Sequence, residues 1–157
     1  MIFVTVGTDN HDFSRLVEAA DRLAADVEII VQTGSTKYIP KNAEWFSFAE
    51  RKRIESLYKN AEAVVTHAGA GSIINCIKYG KVPVVVPRLK ELNEHADNHQ
   101  LAMAKSLEKK RVVVAVYDIS ALWEKIKLAR RMKLKKKKAA GTGIIKKYLA
   151  ALGGGKA

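Results

Sequence analysis

The 157-residue sequence predicts an α/β fold, a Rossmann-like parallel sheet with helices on both faces. Two observations predict it. Strand-like and helix-like segments alternate along the chain, the pattern of a parallel sheet wrapped by right-handed crossovers. The strand-like runs are continuously apolar and β-branched rather than alternating, which fits burial on both faces.

Residues 2–6 form the first apolar run. Residues 12–25 follow with helical spacing, placing Phe13, Leu16, Val17, Ala20, Leu23 and Ala24 on one side. Residues 27–31 are again β-branched, and residues 44–48 read as a short strand after Pro40. Residues 51–59 group Ile54, Leu57 and Tyr58 as a short helix. A strand at 63–66, a helix at 71–79 and a strand at 82–86 come next, the last bracketed by Pro83 and Pro87. Residues 95–109 read as a helix with Leu101, Ala104 and Leu107 inward, 111–116 as a strand, and 119–134 as a helix that grows steadily more basic. This makes residues 1–134 one domain and 135–157 a basic tail.

In an open parallel sheet, ligands bind beyond the carboxyl ends of the strands. The loops to inspect are therefore 7–11, 32–38, 67–72 and 88–100. The chain is 48% hydrophobic, enough for a proper core, which excludes general disorder. Its one cysteine, Cys76, excludes an intramolecular disulfide framework and a multi-cysteine zinc site, and fits a reducing compartment. No apolar run approaches the roughly 18 residues of a membrane span, and the first ten residues run into a strand rather than a signal peptide. The net charge of +12 comes from 28 Lys and Arg against 16 Asp and Glu. Every acidic residue precedes Lys125, and the twelve basic residues from Lys125 onward account for the whole excess. The body is thus neutral and the tail basic.

The strongest local signal is Thr66-His67-Ala68-Gly69-Ala70-Gly71-Ser72, between a strand and a helix. Gly69 and Gly71 let the backbone approach a ligand, and the first amides of the next helix form an anion site. Ser72 and His67 can donate to the same phosphate. The plain alternative is a tight turn with a satisfied loop histidine. No third spaced glycine and no Gly-Lys-Ser/Thr make this a dinucleotide fingerprint or a P-loop. The second signal is Pro87-Arg88 with Glu94-His95-Ala96-Asp97-Asn98-His99-Gln100. Such mixed donors and acceptors suit sugar hydroxyls; the alternative is a capped helix start with solvated polar groups. His95 and His99 stand four apart, so a metal is conceivable, but on a helix Asp97 would point elsewhere, and no metal site is expected. Gly7, Thr8, Gln32 and Gly34 follow the first two strands, either as ligand contacts or as turns.

With these motifs the sequence resembles the C-terminal, nucleotide-sugar-binding half of GT-B glycosyltransferases of family 28. Within that family it looks like the small catalytic subunit of split UDP-sugar transferases acting on polyprenyl- or dolichol-linked acceptors. The resemblance runs from Ile2 to about Val116 and includes Gly80-Lys81-Val82-Pro83-Val84-Val85-Val86-Pro87-Arg88. It implies that His67, Gly69, Ala70, Gly71 and Ser72 hold the donor diphosphate, with His67 as the catalytic stabiliser of its charge. Gly7, Thr8, Gln32 and Gly34 would line the cleft. Asn98, His99 and Gln100 would bind hydroxyls of the donor sugar, Glu94 would contact the donor, and Arg88 would lie near uracil, ribose or sugar. Such domains commonly carry a ribose-gripping Glu five residues before the glycine of Gly80-Lys81; here that position is Asn75.

The resemblance further implies an inverting transfer of a sugar, N-acetylglucosamine as the best match, from a UDP-sugar to a lipid-linked acceptor. No Asp-x-Asp motif is present, so helix amides and His67 are expected to offset the diphosphate charge, with no cofactor. The acceptor half and the general base would come from a membrane-anchored partner subunit, leaving this chain in the cytoplasm, peripheral to the membrane face. The tail would contact that partner or an anionic membrane, each Lys or Arg near the lipid being worth about 1 kcal/mol. Two other classes compete: a nucleotide-sugar-binding module without turnover, which Asn75 favours, and a basic nucleic-acid-binding protein, which the neutral body and few aromatics disfavour.

Overall fold

The computed structural model describes residues 1–132 and, beyond them, residues 143, 146, 147 and 150. Among these, six strands form one sheet: β1 (Ile2–Thr5), β2 (Ile29–Gln32), β3 (Glu44–Phe46), β4 (Ala63–His67), β5 (Pro83–Val86) and β6 (Val114–Ala115). Their order is β3-β2-β1-β4-β5-β6 and every pairing is parallel. The helices are α1 (Ser14–Leu23), α2 (Arg51–Asn60), α3 (Ala70–Lys78), α4 (His99–Lys109) and α5 (Leu122–Arg131). The doubly wound α/β fold expected from the sequence is therefore the fold observed. The domain–tail boundary falls outside the described residues, as do most residues of 135–157.

The sheet is buried on both sides, which is why its strands are apolar without alternation. On one face Val4, Val65 and Val84 pack with Phe13, with Leu16 and Val17 of α1 and with Leu122, Ile126 and Ala129 of α5. The opposite face carries two clusters. Phe3 and Val64 meet Tyr58 of α2 and Cys76 of α3, and Val85 and Ala115 meet Ile73 and Ile77 of α3 with Met103 and Leu107 of α4. Asp21, buried on α1, accepts backbone N–H bonds from Lys41, Asn42 and Ala43 and so fixes the approach to β3.

Several boundaries differ from the sequence reading. The second strand begins at Ile29 rather than 27, because α1 unwinds through residues 24–27, with Val27 N–H still bonded to Leu23 O. The third ends at Phe46, not 48. The helix expected from 95 begins at His99. Residues 95–98 instead spend their polar groups on loop backbone: Asn98 Oδ1 accepts from Lys90 N–H, and Asp97 Oδ1 from His99 N–H. A short 3₁₀ turn, Lys90–Leu92, was not anticipated. The strand order reverses between β1 and β4, and the loops leaving those two strands diverge to open a crevice.

Candidate functional site

At that crevice lies a cleft of about 410 Å³ lined by Thr5, Gly7, Thr8, Gln32, Phe48, Ala49, Ile54, Tyr58, His67, Gly71, Ser72 and Asn75. This is within the usual range for a small-molecule site. Of the residues singled out in the sequence, it brings together Gly7, Thr8, Gln32, His67, Gly71, Ser72 and Asn75.

β4 delivers His67 at its last position, and α3 starts three residues later. No side chain caps α3, so its first N–H groups keep free hydrogens at the helix's positive end. Gly71 and Ser72 in that first turn and Asn75 one turn on share the face that lines the cleft. A Cβ added at Gly71 would meet nothing within 4 Å: the glycine leaves empty space in front of the amides.

Gly69 has a different reason to be glycine. A Cβ there would lie 2.1 Å from His67 Nε2, and one at Gly7 would lie 2.5 Å from His67 Cε1. The imidazole is therefore clamped between two glycines, one from each loop flanking the crevice. Gly7 also has φ of 77°, which a side chain rarely adopts. Burial pushes the His67 pKa down to about 4, with the Arg88 charge acting in the same direction against an opposing pull from Asp9. His67 is thus a neutral imidazole at neutral pH, bonded through Nδ1 to Thr66 Oγ1 at 3.2 Å. Gly34 does not line the cleft; a Cβ there would stand 2.8 Å from Gly7 O, so it lets the loop after β2 support the first loop.

Thr5 and Gln32 join by a 2.6 Å bond on the cleft floor, and Thr5 Oγ1 accepts from Gly7 N–H. Phe48, 57% exposed, forms an apolar wall with Ile54. Tyr58 is buried against Ser72 and Asn75, and burial raises its pKa. Thr5, Phe48, Ala49, Ile54 and Tyr58 were missed as lining residues. An exposed aromatic just past a strand end was the available signal for Phe48.

The second motif divides. Arg88, Glu94 and Gln100 do not line the cleft; all three are buried. Arg88 Nη2 donates to Val6 O at 2.9 Å, and its Nη1 to His11 O at 3.0 Å and Glu94 O at 3.1 Å. Its guanidinium lies over the Phe13 ring, and its own N–H donates to Gln100 Oε1. Glu94 takes a two-pronged bond from Arg15 at 2.8 Å and accepts from Leu89 N–H. Burial lowers the Arg88 pKa, with Asp9, Glu94 and Asp12 opposing. These groups tie the loop after β1 to the loop after β5, a structural placement rather than the ligand-facing one expected for Arg88, Glu94 and Gln100.

Asn98 and His99 remain partly accessible at the start of α4. Because residues 95–98 are not helical, Asp97 does not point away as expected. Its Oδ1 lies 3.4 Å from His95 Nδ1 and contacts His99 Nδ1.

The chain matches the glycosyltransferase family 28 C-terminal domain over residues 1–151. It is 35% identical over 119 residues to the human UDP-N-acetylglucosamine transferase subunit ALG13, covering 69% of this chain but 10% of that protein. Identity to the Yarrowia lipolytica subunit of the same name is 37% over 62 residues, 40% of this chain and 30% of that one. The chain thus spans well under half the length of these relatives. Its fold matches the kitacinnamycin glycotransferase at a TM-score of 0.63 and 18% identity, covering 97% of this chain and 40% of that structure. The calicheamicin glycosyltransferase CalG4 gives the same score at 14% identity, covering 97% and 42%. Among the described residues, no helix is long and apolar enough to cross a membrane. With its β1/β4 cleft, its open glycine at the head of α3 and a match along most of its length, the chain belongs to the glycosyltransferase family 28 C-terminal domain family.

Proposed function

We propose that this chain is the donor-binding catalytic subunit of a two-component inverting glycosyltransferase, moving N-acetylglucosamine from a UDP-sugar to a polyprenyl- or dolichol-linked acceptor. The observation that carries the reading is the uncapped α3 N-terminus facing a cleft kept empty by Gly71. A diphosphate there meets free N–H groups and the helix dipole. Neutral His67 adds one hydrogen bond to a phosphate oxygen as UDP leaves. Asn75, one turn further along α3, is within reach of the ribose, and the exposed Phe48 ring offers uracil a stacking face. Asn98 and His99 at the head of α4 supply donors and acceptors for the sugar hydroxyls.

In the reaction, an acceptor hydroxyl attacks the anomeric carbon from the face opposite UDP. A new C–O bond forms as the bond to the diphosphate breaks, and the hydroxyl proton passes to a base. That base and the acceptor site belong to a membrane-anchored partner subunit, which holds this chain at the cytoplasmic membrane face. The basic tail, 135–157, is the contact to that partner or to anionic lipid. The names of the ALG13 relatives support the UDP-N-acetylglucosamine donor and the subunit role. Asn75 favours a second reading, a donor-binding module without turnover, since an amide grips a ribose less firmly than a carboxylate. Calorimetry with UDP and UDP-N-acetylglucosamine tests the site, and no heat of binding at millimolar nucleotide would sink both readings. Transfer by a co-expressed complex separates them: donor binding without product would favour the second.

A further inference from the structure

All four histidines of the chain gather at the carboxyl edge of the sheet, and three of them form a cluster with two aspartates beside the cleft. We propose that His95, Asp97 and His99 form a binding site for a divalent cation of borderline softness, Zn²⁺ or a close neighbour, with Asp9 as its outer carboxylate. One donor atom from each of the three residues lies within 4.8 Å of the others. His95 Nδ1 and Asp97 Oδ1 are 3.4 Å apart. A tetrahedral ion with bonds of about 2.0–2.1 Å holds its donors about 3.3–3.4 Å apart, so that pair already stands at ligand spacing. His99 Nδ1 contacts the same carboxylate oxygen, so its ring must swing back by about 1 Å for both atoms to reach one ion.

The outer contacts give an independent reason. His95 Nδ1 accepts a long 3.4 Å bond from Asp97 N–H, which leaves the ring proton on Nε2; an ion would displace that bond and take the same lone pair. Nε2 faces Asp9 Oδ2 at 3.7 Å, and Asp9 Oδ1 is held in turn by His11 N–H at 2.8 Å and His11 Nδ1 at 2.7 Å. The His11 ring stacks on His95 at 5.8 Å. A ligating histidine whose other nitrogen faces a tethered carboxylate is the usual outer arrangement of a metal site. Two nitrogens and one oxygen suit Zn²⁺ better than Mg²⁺ or Ca²⁺, which prefer oxygen alone. Three protein ligands leave a fourth position for water or an oxygen of a bound molecule. The ion would use Nδ1 of His99 and leave its Nε2 free for a hydroxyl.

The test needs no sugar nucleotide, so its outcome is separate from that of the proposed function. The full chain, without a histidine tag and stripped by chelator, is titrated with Co²⁺ and followed by visible absorption, then competed with Zn²⁺. One equivalent of Co²⁺ should give four-coordinate d–d bands that Zn²⁺ abolishes. His95→Ala, Asp97→Ala and His99→Ala should each weaken binding at least 10-fold, and Asp9→Asn should weaken it roughly 10-fold through His95. Unchanged metal-free melting temperatures establish that these variants fold; Asp97→Asn and His99→Gln replace any that does not. Absence of the bands, or binding that survives the His95→Ala/His99→Ala double variant, overturns the site.

Discussion

The segments that leave β4 and β5 lie at the same sheet edge and read alike in sequence, each mixing polar side chains with histidine. They are built in opposite ways. After β4 the polar equipment is backbone: uncapped N–H groups, a glycine with open space before it, and a neutral imidazole held between two more glycines. After β5 the polar equipment is side chain turned inward, with Arg88 fully buried and bonded to two carbonyls of the distant loop after β1. One segment presents empty polar space and the other consumes its polarity to hold the loop after β1, which flanks the same cleft. Substitutions in the two should therefore separate binding from stability.

The largest expected effect lies in the β5 segment. Arg88→Met keeps the volume but strands three carbonyls, those of Val6 and Glu94 buried and that of His11 partly so. Losing one partner of a buried charged network typically costs about 3–5 kcal/mol. A urea midpoint close to that of the parent chain would mean that the Arg88 bonds carry little of the loop-to-loop coupling. Gly71→Val sits at the other pole. Its φ is not positive and nothing crowds a Cβ there, so stability should change by less than about 1 kcal/mol. A branched side chain in front of the α3 amides should nonetheless reduce UDP affinity at least 100-fold, about 2.7 kcal/mol. Parental UDP affinity in that variant would move the diphosphate away from α3.

How much of this contrast was legible follows from the same physics. The strands and their parallel pairing, though not their order, could be read because burial on both faces leaves no room for polar alternation, as in Val84-Val85-Val86. Gly71 stood out because a glycine where a strand gives way to a helix can leave backbone amides uncovered, and the structure gives it open space. The neighbour of Gly69 is the His67 ring, a tertiary contact that spacing along the chain does not encode. The setting of Arg88 was hidden for a related reason. An arginine in a polar loop reads as a ligand contact, while its actual acceptors are backbone carbonyls from parts of the chain more than seventy residues earlier as well as from nearby Glu94. The helix start at His99 was missed because apolar spacing marks the body of a helix and not its first turn.

His67 sharpens the comparison through pH. Its pKa is about 4 in the folded chain against 6.5 ordinarily, with burial the main cause. Above pH 6.5 both folded and unfolded chains leave the ring neutral. Between 6.5 and 4 only the unfolded chain takes the proton, so stability falls as pH falls, and below about 4 the loss levels off. The cost at that end is on the order of 3 kcal/mol. His67→Gln removes the titration, and its urea midpoint should fall less steeply than the parent's from pH 7 to pH 4. Parallel curves for the two would mean that the glycine clamp leaves the ring as well hydrated as a free imidazole.

The smallest effect concerns Asn75, which shares the cleft-lining face of α3 with Gly71 and Ser72. An amide accepts through one oxygen, whereas a carboxylate accepts through two and does so with charge. A charge-assisted bond exceeds a neutral one by about 1 kcal/mol. Asn75→Glu should therefore raise affinity for UDP about fivefold while leaving affinity for uracil alone unchanged, because only the ribose hydroxyls gain the better acceptor. The diphosphate works against the new charge, and screening by salt should enlarge the gain. A loss of affinity that persists at high salt would show that Asn75 faces something other than ribose. The nucleoside would then run along the cleft toward Thr5 and Gln32, whose mutual 2.6 Å bond would have to open to receive it.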